Sequence, residues 1–213
     1  MTIVTVPAGS GPAEQIYIIR HGEKPPGPSP ITAVVHAPGP PFGVDLNGDQ
    51  DEHSLTPQGW QRAGALAVLF DPAIGPLRTG ISKPGAVFSP LYKDKPQNER
   101  TYQTVLPLSL RLGISTETLF GKADVKEMAG VAVGRTGVVL ICWEHENIPS
   151  LAKALPTVNG KKIPGKWPGD RFDVVWSFTL AAGTGSPQYE FSQIPQLLLS
   201  GDKGSKIKDK DGS

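Results

Sequence analysis

Residues 15–24 read QIYIIRHGEK, and this stretch decides how the rest of the chain is read. Ile16, Tyr17, Ile18 and Ile19 form a continuous β-branched and aromatic run, the pattern of a buried strand, and it stops where charge begins at Arg20. A second apolar run, GVVLICW at 137–143, ends the same way, in EHEN. Helical patterns lie between such strands. Thr56 is placed to cap a helix with Pro57 at its first position, and Trp60, Ala63, Leu66, Ala67 and Phe70 recur at helical spacing until Pro72, Gly75 and Pro76 end it. AVFSP at 86–90 reads as a short strand. A second helix is expected from near Asn98 through Thr101, Val105 and Leu108, with Pro107 kinking it or stopping it early.

Further on, the pattern predicts a short strand near 116–120 and a helix within 122–133, with Val125, Met128 and Ala129 on one face. A helix over 148–155 is opened by Asn147 and Pro149, and strands at 172–180 and 189–194 pair as a hairpin at the sheet edge. Strands alternating with helices predict an α/β fold, a three-layer sandwich with a mostly parallel central sheet and helices on both faces. No internal repeat or domain-scale linker interrupts the chain, so residues 1–213 are expected to form a single domain. Residues 1–13 are small and polar and 201–213 are charged, which predicts flexible ends.

Composition narrows the possible functions. Hydrophobic residues are only 38%, while 25 Gly and 22 Pro lengthen the connections and shrink the regular core. With 21 basic and 20 acidic residues, the formal charge of +1 argues against a general nucleic-acid or membrane-surface binder, so an anionic ligand needs a local cluster of cations. Cys142 is the single cysteine, which excludes an intramolecular disulfide or a CxxC motif, and its apolar setting predicts a buried thiol. No basic-then-apolar leader and no stretch of membrane-spanning length is present, so a cytoplasmic location is expected.

Ligands of open α/β sheets sit at the carboxyl ends of the strands. Arg20 and His21 follow the first strand, and His145 follows GVVLICW, so all three emerge where a site is expected. Arg100 lies between them in SPLYKDKPQNERTYQT, after a strand-end loop and near a helix start. Two histidines and two arginines from three strand ends suit one tetrahedral anion such as phosphate.

In this order the residues resemble the histidine phosphatase superfamily, the group that includes phosphoglycerate mutase-like enzymes. RHGE at 20–23, LTPQGWQRAGALA at 55–67, SP followed by RTYQT at 100–104, and a second histidine after an apolar strand all match its pattern. The resemblance runs from about residue 15 to 150. It implies a phosphatase that hydrolyses a phosphate monoester through a phosphohistidine on His21. Arg20 and Arg100 bind the phosphate, and His145 completes the pocket. The implied partner is a small phosphorylated substrate or a phosphopeptide, with no cofactor and no metal. Lys93 or Lys95 is the alternative to Arg100 as the second cation.

The acid that protonates the leaving oxygen is left open between two carboxylates. Phytase-like members place one directly after the second histidine, which here selects Glu146, followed by Asn147. Mutase-like members supply a Glu from the segment after the second helix, which selects Glu117 over Asp124 and Glu127; Glu146 is favoured, with Glu117 second. A phosphatase is favoured over a mutase because about two dozen residues separate Gly113 from GVVLICW, little room for an enclosing lid. The Pro-rich loop at 24–54 remains as possible cover. A non-catalytic phospholigand-binding module is the rival reading.

Other candidates have plainer readings. Glu23 and Lys24 either line the site or are solvated loop charges, and Glu144 faces the core boundary or neighbours a cation. His36 and His53 read as surface residues of the long loop, and Trp143 and Trp167 as packing residues. DLNGDQDE at 45–52 alternates like the start of a calcium loop, but position twelve falls at Thr56, so it reads as an acidic turn.

Overall fold

The computed structural model describes residues 11–26, 40–92, 99–183 and 185–209. Six strands form one mixed sheet: β1 (Ala13–Arg20), β2 (Ala86–Phe88), β3 (Thr116–Glu117), β4 (Gly137–Trp143), β5 (Val174–Leu180) and β6 (Tyr189–Pro195). Four α-helices intervene: α1 (Pro57–Phe70), α2 (Glu99–Leu112), α3 (Val125–Val133) and α4 (Ile148–Ala154). The strand order is β3-β2-β4-β1-β5-β6. β1, β4, β2 and β3 run parallel, whereas β5 pairs antiparallel with both β1 and β6. The expected mostly parallel sheet is therefore a mixed one. The late hairpin forms one edge as expected, and it carries the reversed strand into the sheet.

Successive residues of a strand point to opposite faces, and here they enter two separate clusters. Ile16 and Ile18 of β1 join Val139, Ile141 and Trp143 of β4, together with Met128 and Ala132 of α3 and Leu151 of α4. Tyr17 and Ile19 join Leu140 and Cys142, with Leu66 and Phe70 of α1 and Val105 and Leu108 of α2. Cys142 is fully buried, and burial pushes its thiol up, so it stays protonated and inert.

Helix α1 starts as its sequence dictates. Thr56 Oγ1 accepts from Gly59 N at 3.2 Å, and Pro57 occupies the first turn, where no N–H is needed. Of the two outcomes expected at Pro107, the early stop does not occur: helix α2 continues past it to Leu112. The ring removes one intrahelical hydrogen bond, but Val105 and Leu108 on either side are buried against α1 and the sheet, and that packing holds the helix together.

The described part of the tail makes specific contacts. Ile207 is buried and exchanges hydrogen bonds with the Gln193 side chain of β6, and Asp209 Oδ1 accepts from Gly165 N. At the other end Ala13 is fully buried at the start of β1. Residues 1–10 and 210–213 lie outside the described residues. Among the described residues, no helix is long and apolar enough to cross a membrane.

Candidate active site

Arg20 and Trp143 are register partners at the carboxyl ends of β1 and β4. The residues that follow each strand therefore leave the sheet side by side. The His21 and His145 rings lie 6.5 Å apart, centroid to centroid, nearly perpendicular. β5 runs the other way, with Val175 opposite Ile19, so the chain entering β5 arrives at this same end of the sheet. The reversed strand thus adds a wall to the site.

Glycines set how closely the first wall packs. A Cβ on Gly22 would stand 2.9 Å from the Gly59 carbonyl oxygen, and one on Gly59 would stand 2.4 Å from the Glu23 carbonyl oxygen. The glycines of RHGE and of LTPQG are thus a pair that lets two backbones touch. Thr56 completes the junction, its N–H donating to Glu23 O at 3.0 Å. RTYQT supplies the remaining ties. Gly22 N donates to Thr104 Oγ1 at 2.8 Å, and that hydroxyl donates to Arg100 O at 2.7 Å. Buried Gln103 accepts from Leu55 N and donates to Ser54 Oγ, each at 2.8 Å.

His21 is buried. Its Nδ1 lies 2.7 Å from Gly22 O, so in the neutral ring Nδ1–H donates there and Nε2 keeps its lone pair. Burial first, then the charge of Arg20, holds the imidazole well below its usual pKa. Gly22 O opposes this, and Arg100 and His145 lower it further. The ring is neutral at physiological pH, the state a nucleophile needs. His145 is lowered to about 4, by burial and then by Arg20 and Lys24, with Glu146 opposing.

Arg20 is fully buried. Its NH1 donates to three carbonyls, Gly169 O at 2.7 Å, Arg171 O at 3.1 Å and Pro168 O at 3.2 Å. Among the described residues, its Nε and NH2 have no hydrogen-bond partner, and neither has the buried Nε of Arg100. Burial lowers the Arg20 guanidinium to about 10, against the pull of Asp170 and Glu23, so it stays charged at neutral pH. Buried donors on a cation are almost always satisfied, so this free edge marks a place for an acceptor. Arg100 enters from the first turn of α2, its NH2 donating to Glu52 O at 2.5 Å. Lys93 and Lys95, the alternatives to it, lie outside the described residues, as does His36.

The two acid candidates differ. Glu146 is exposed, and its charge acts on both His145 and Lys24. The carboxylate of Glu117 is gripped through both oxygens by Arg135. Glu144 neighbours a cation, Lys122, at 3.0 Å. Glu23 is structural: with Asp202 it flanks the buried Arg62, each oxygen 2.7 Å from NH2. Lys24 is exposed beside the site, its ammonium lowered by partial loss of water and then by Arg100 and Arg20. Asp45 Oδ1 accepts from the Asn47 and Asp49 amides at 2.8 and 2.9 Å, as an acidic turn does. His53 sits 3.6 Å from Glu52 near the surface, and Trp143 and Trp167 are buried in the core.

Sequence reading missed the wall at 168–172. Phe172 lies with its ring centroid 3.9 Å from the Arg20 guanidinium carbon and 6.0 Å from the His21 ring. The dipeptide Pro168-Gly169 signals a turn, but nothing in it says that the turn's carbonyls face an arginine. Compared with known proteins, the chain matches no family model and no curated protein.

Proposed function

We propose that this chain is a phosphatase of the histidine phosphatase type, hydrolysing a phosphate monoester through a phosphohistidine on His21. One observation carries the reading: a buried, neutral imidazole whose Nε2 keeps its lone pair stands beside a buried arginine whose Nε and NH2 have no partner among the described residues. The chemistry runs on a three-layer α/β domain, a layering supported by the division of the core into two helix-covered clusters.

Nε2 of His21 attacks phosphorus, and the bond to the leaving oxygen breaks. Arg20 and Arg100 hold the equatorial oxygens and offset their charge, and His145 completes the pocket. Glu146 gives the leaving oxygen its proton. Water then attacks the phosphohistidine, Glu146 takes its proton, and the N–P bond breaks to release phosphate. The ligand is a small phosphorylated substrate or a phosphopeptide, in a cytoplasmic setting, and no metal takes part.

A phospholigand-binding module without turnover is the second reading, and the exposure of Glu146 favours it. Turnover of aryl and alkyl phosphate esters with graded leaving groups, in the presence of a chelator, separates the two. The phosphatase hydrolyses them, and Glu146→Gln slows alkyl esters far more than nitrophenyl phosphate, whose leaving group needs little protonation. Tight binding of vanadate with no turnover of any ester would overturn the proposal in favour of the module.

A further inference from the structure

Phe172 is half-buried, yet both of its chain neighbours are pinned. The Arg171 carbonyl accepts from Trp167 Nε1 at 2.8 Å as well as from Arg20. The Arg171 side chain donates to Asp173 Oδ1 at 2.6 Å and to Ser205 O at 2.7 Å. Asp173 Oδ2 accepts from Lys203 N at 2.6 Å, and its carbonyl accepts from Gln196 N at 2.7 Å. The backbone that carries the ring is thus tied on both sides to the C-terminal residues.

That ring covers one face of the Arg20 guanidinium. Three carbonyls engage NH1, and the Nε and NH2 edge alone is left to turn toward a ligand. The same ring packs against His21, whose titratable neighbours are Arg20, Arg100 and His145. We propose that Phe172 is a positioning residue, which aims the free edge of Arg20 and keeps water off the His21 imidazole. Its catalytic meaning rests on the phosphatase reading; its effect on the two side chains does not. A smaller residue would let the guanidinium tilt and let water reach the ring, and each change favours a protonated His21.

The test is made on the full chain without substrate. Imidazole titration by NMR follows His21, calorimetry follows vanadate binding, and thermal unfolding follows the fold. In Phe172→Ala, His21 should titrate at least about one pH unit higher. Vanadate should bind about tenfold more weakly. Phe172→Trp, which keeps an aromatic face, should restore both. A folded Phe172→Ala protein that loses only thermal stability, with His21 titration and vanadate affinity unchanged, would overturn the proposal. If Phe172→Ala does not fold, Phe172→Leu serves with the same two outcomes. If no ester is hydrolysed by wild-type protein but His21 still shifts in the variant, the phosphatase reading fails and the positioning role stands.

Discussion

The two walls of the His21 site are built by different means. The first comes from β1, α1 and α2, and it is made of side chains and glycines that the chemistry names: His21, Arg100, Thr104 and the Gly22–Gly59 contact. The second comes from the turn before β5, and it grips Arg20 with three main-chain carbonyls and one aromatic ring. Side-chain chemistry leaves a spelling in the sequence. A carbonyl leaves none, because every residue carries one. The comparison teaches that the wall built from side chains and glycines has a motif in the sequence, while the wall built from main-chain carbonyls has none.

Arg62 bridges the two walls, since it joins Glu23 of the first to Asp202 of the segment behind the second. Breaking it should produce the largest loss of stability. Arg62→Met leaves two carboxylates without their cation in a largely buried place, which costs about 3–5 kcal/mol. Denaturant unfolding should show that loss. A change within about 0.5 kcal/mol would mean that the walls stand independently.

Next come the cations themselves. Arg20→Ala and Arg100→Ala should each lower turnover and vanadate affinity by about 2–4 kcal/mol, or ~30-fold and more. Arg20 should suffer more, because its guanidinium is fully buried and held by the second wall, whereas Arg100 is only partly buried. Equal losses would blur the distinction between the walls. An unchanged Arg100 variant would pass its role to Lys93 or Lys95.

The smallest effect concerns acid. An unfolded histidine titrates near about pH 6.5, whereas His145 in the fold is lowered to about 4 and His21 lies well below its usual range. Between those limits the unfolded chain takes up protons that the folded chain refuses. Stability should therefore be complete above about pH 6.5 and fall as pH drops toward 4. His145→Asn should flatten that fall, as read from unfolding midpoints across the window. An unaltered slope would show that the ring is not shielded by its surroundings.

Much of the fold was legible because local chemistry and tertiary packing agree there. QIYIIR and GVVLICW are buried strands, and Thr56-Pro57 opens α1. Pro107 does not stop α2 because buried neighbours on that helix outweigh one lost hydrogen bond. In the charged tail, the contacts of Ile207 with β6 rest on one apolar residue and its main-chain groups, too little to stand out in the sequence. The reversed direction of β5 is a property of topology, and with it the placement of Phe172 stayed hidden.

The central claim is that His21 carries the phosphoryl group. Rapid quench of the enzyme in cold neutral detergent during turnover of a radiolabelled phosphate ester, followed by peptide mapping at neutral pH, tests it most directly. The account predicts a base-stable, acid-labile phosphoryl group on the peptide containing His21, absent from His21→Ala. A hydroxylamine-labile acyl phosphate, or label on a peptide without His21, would contradict it.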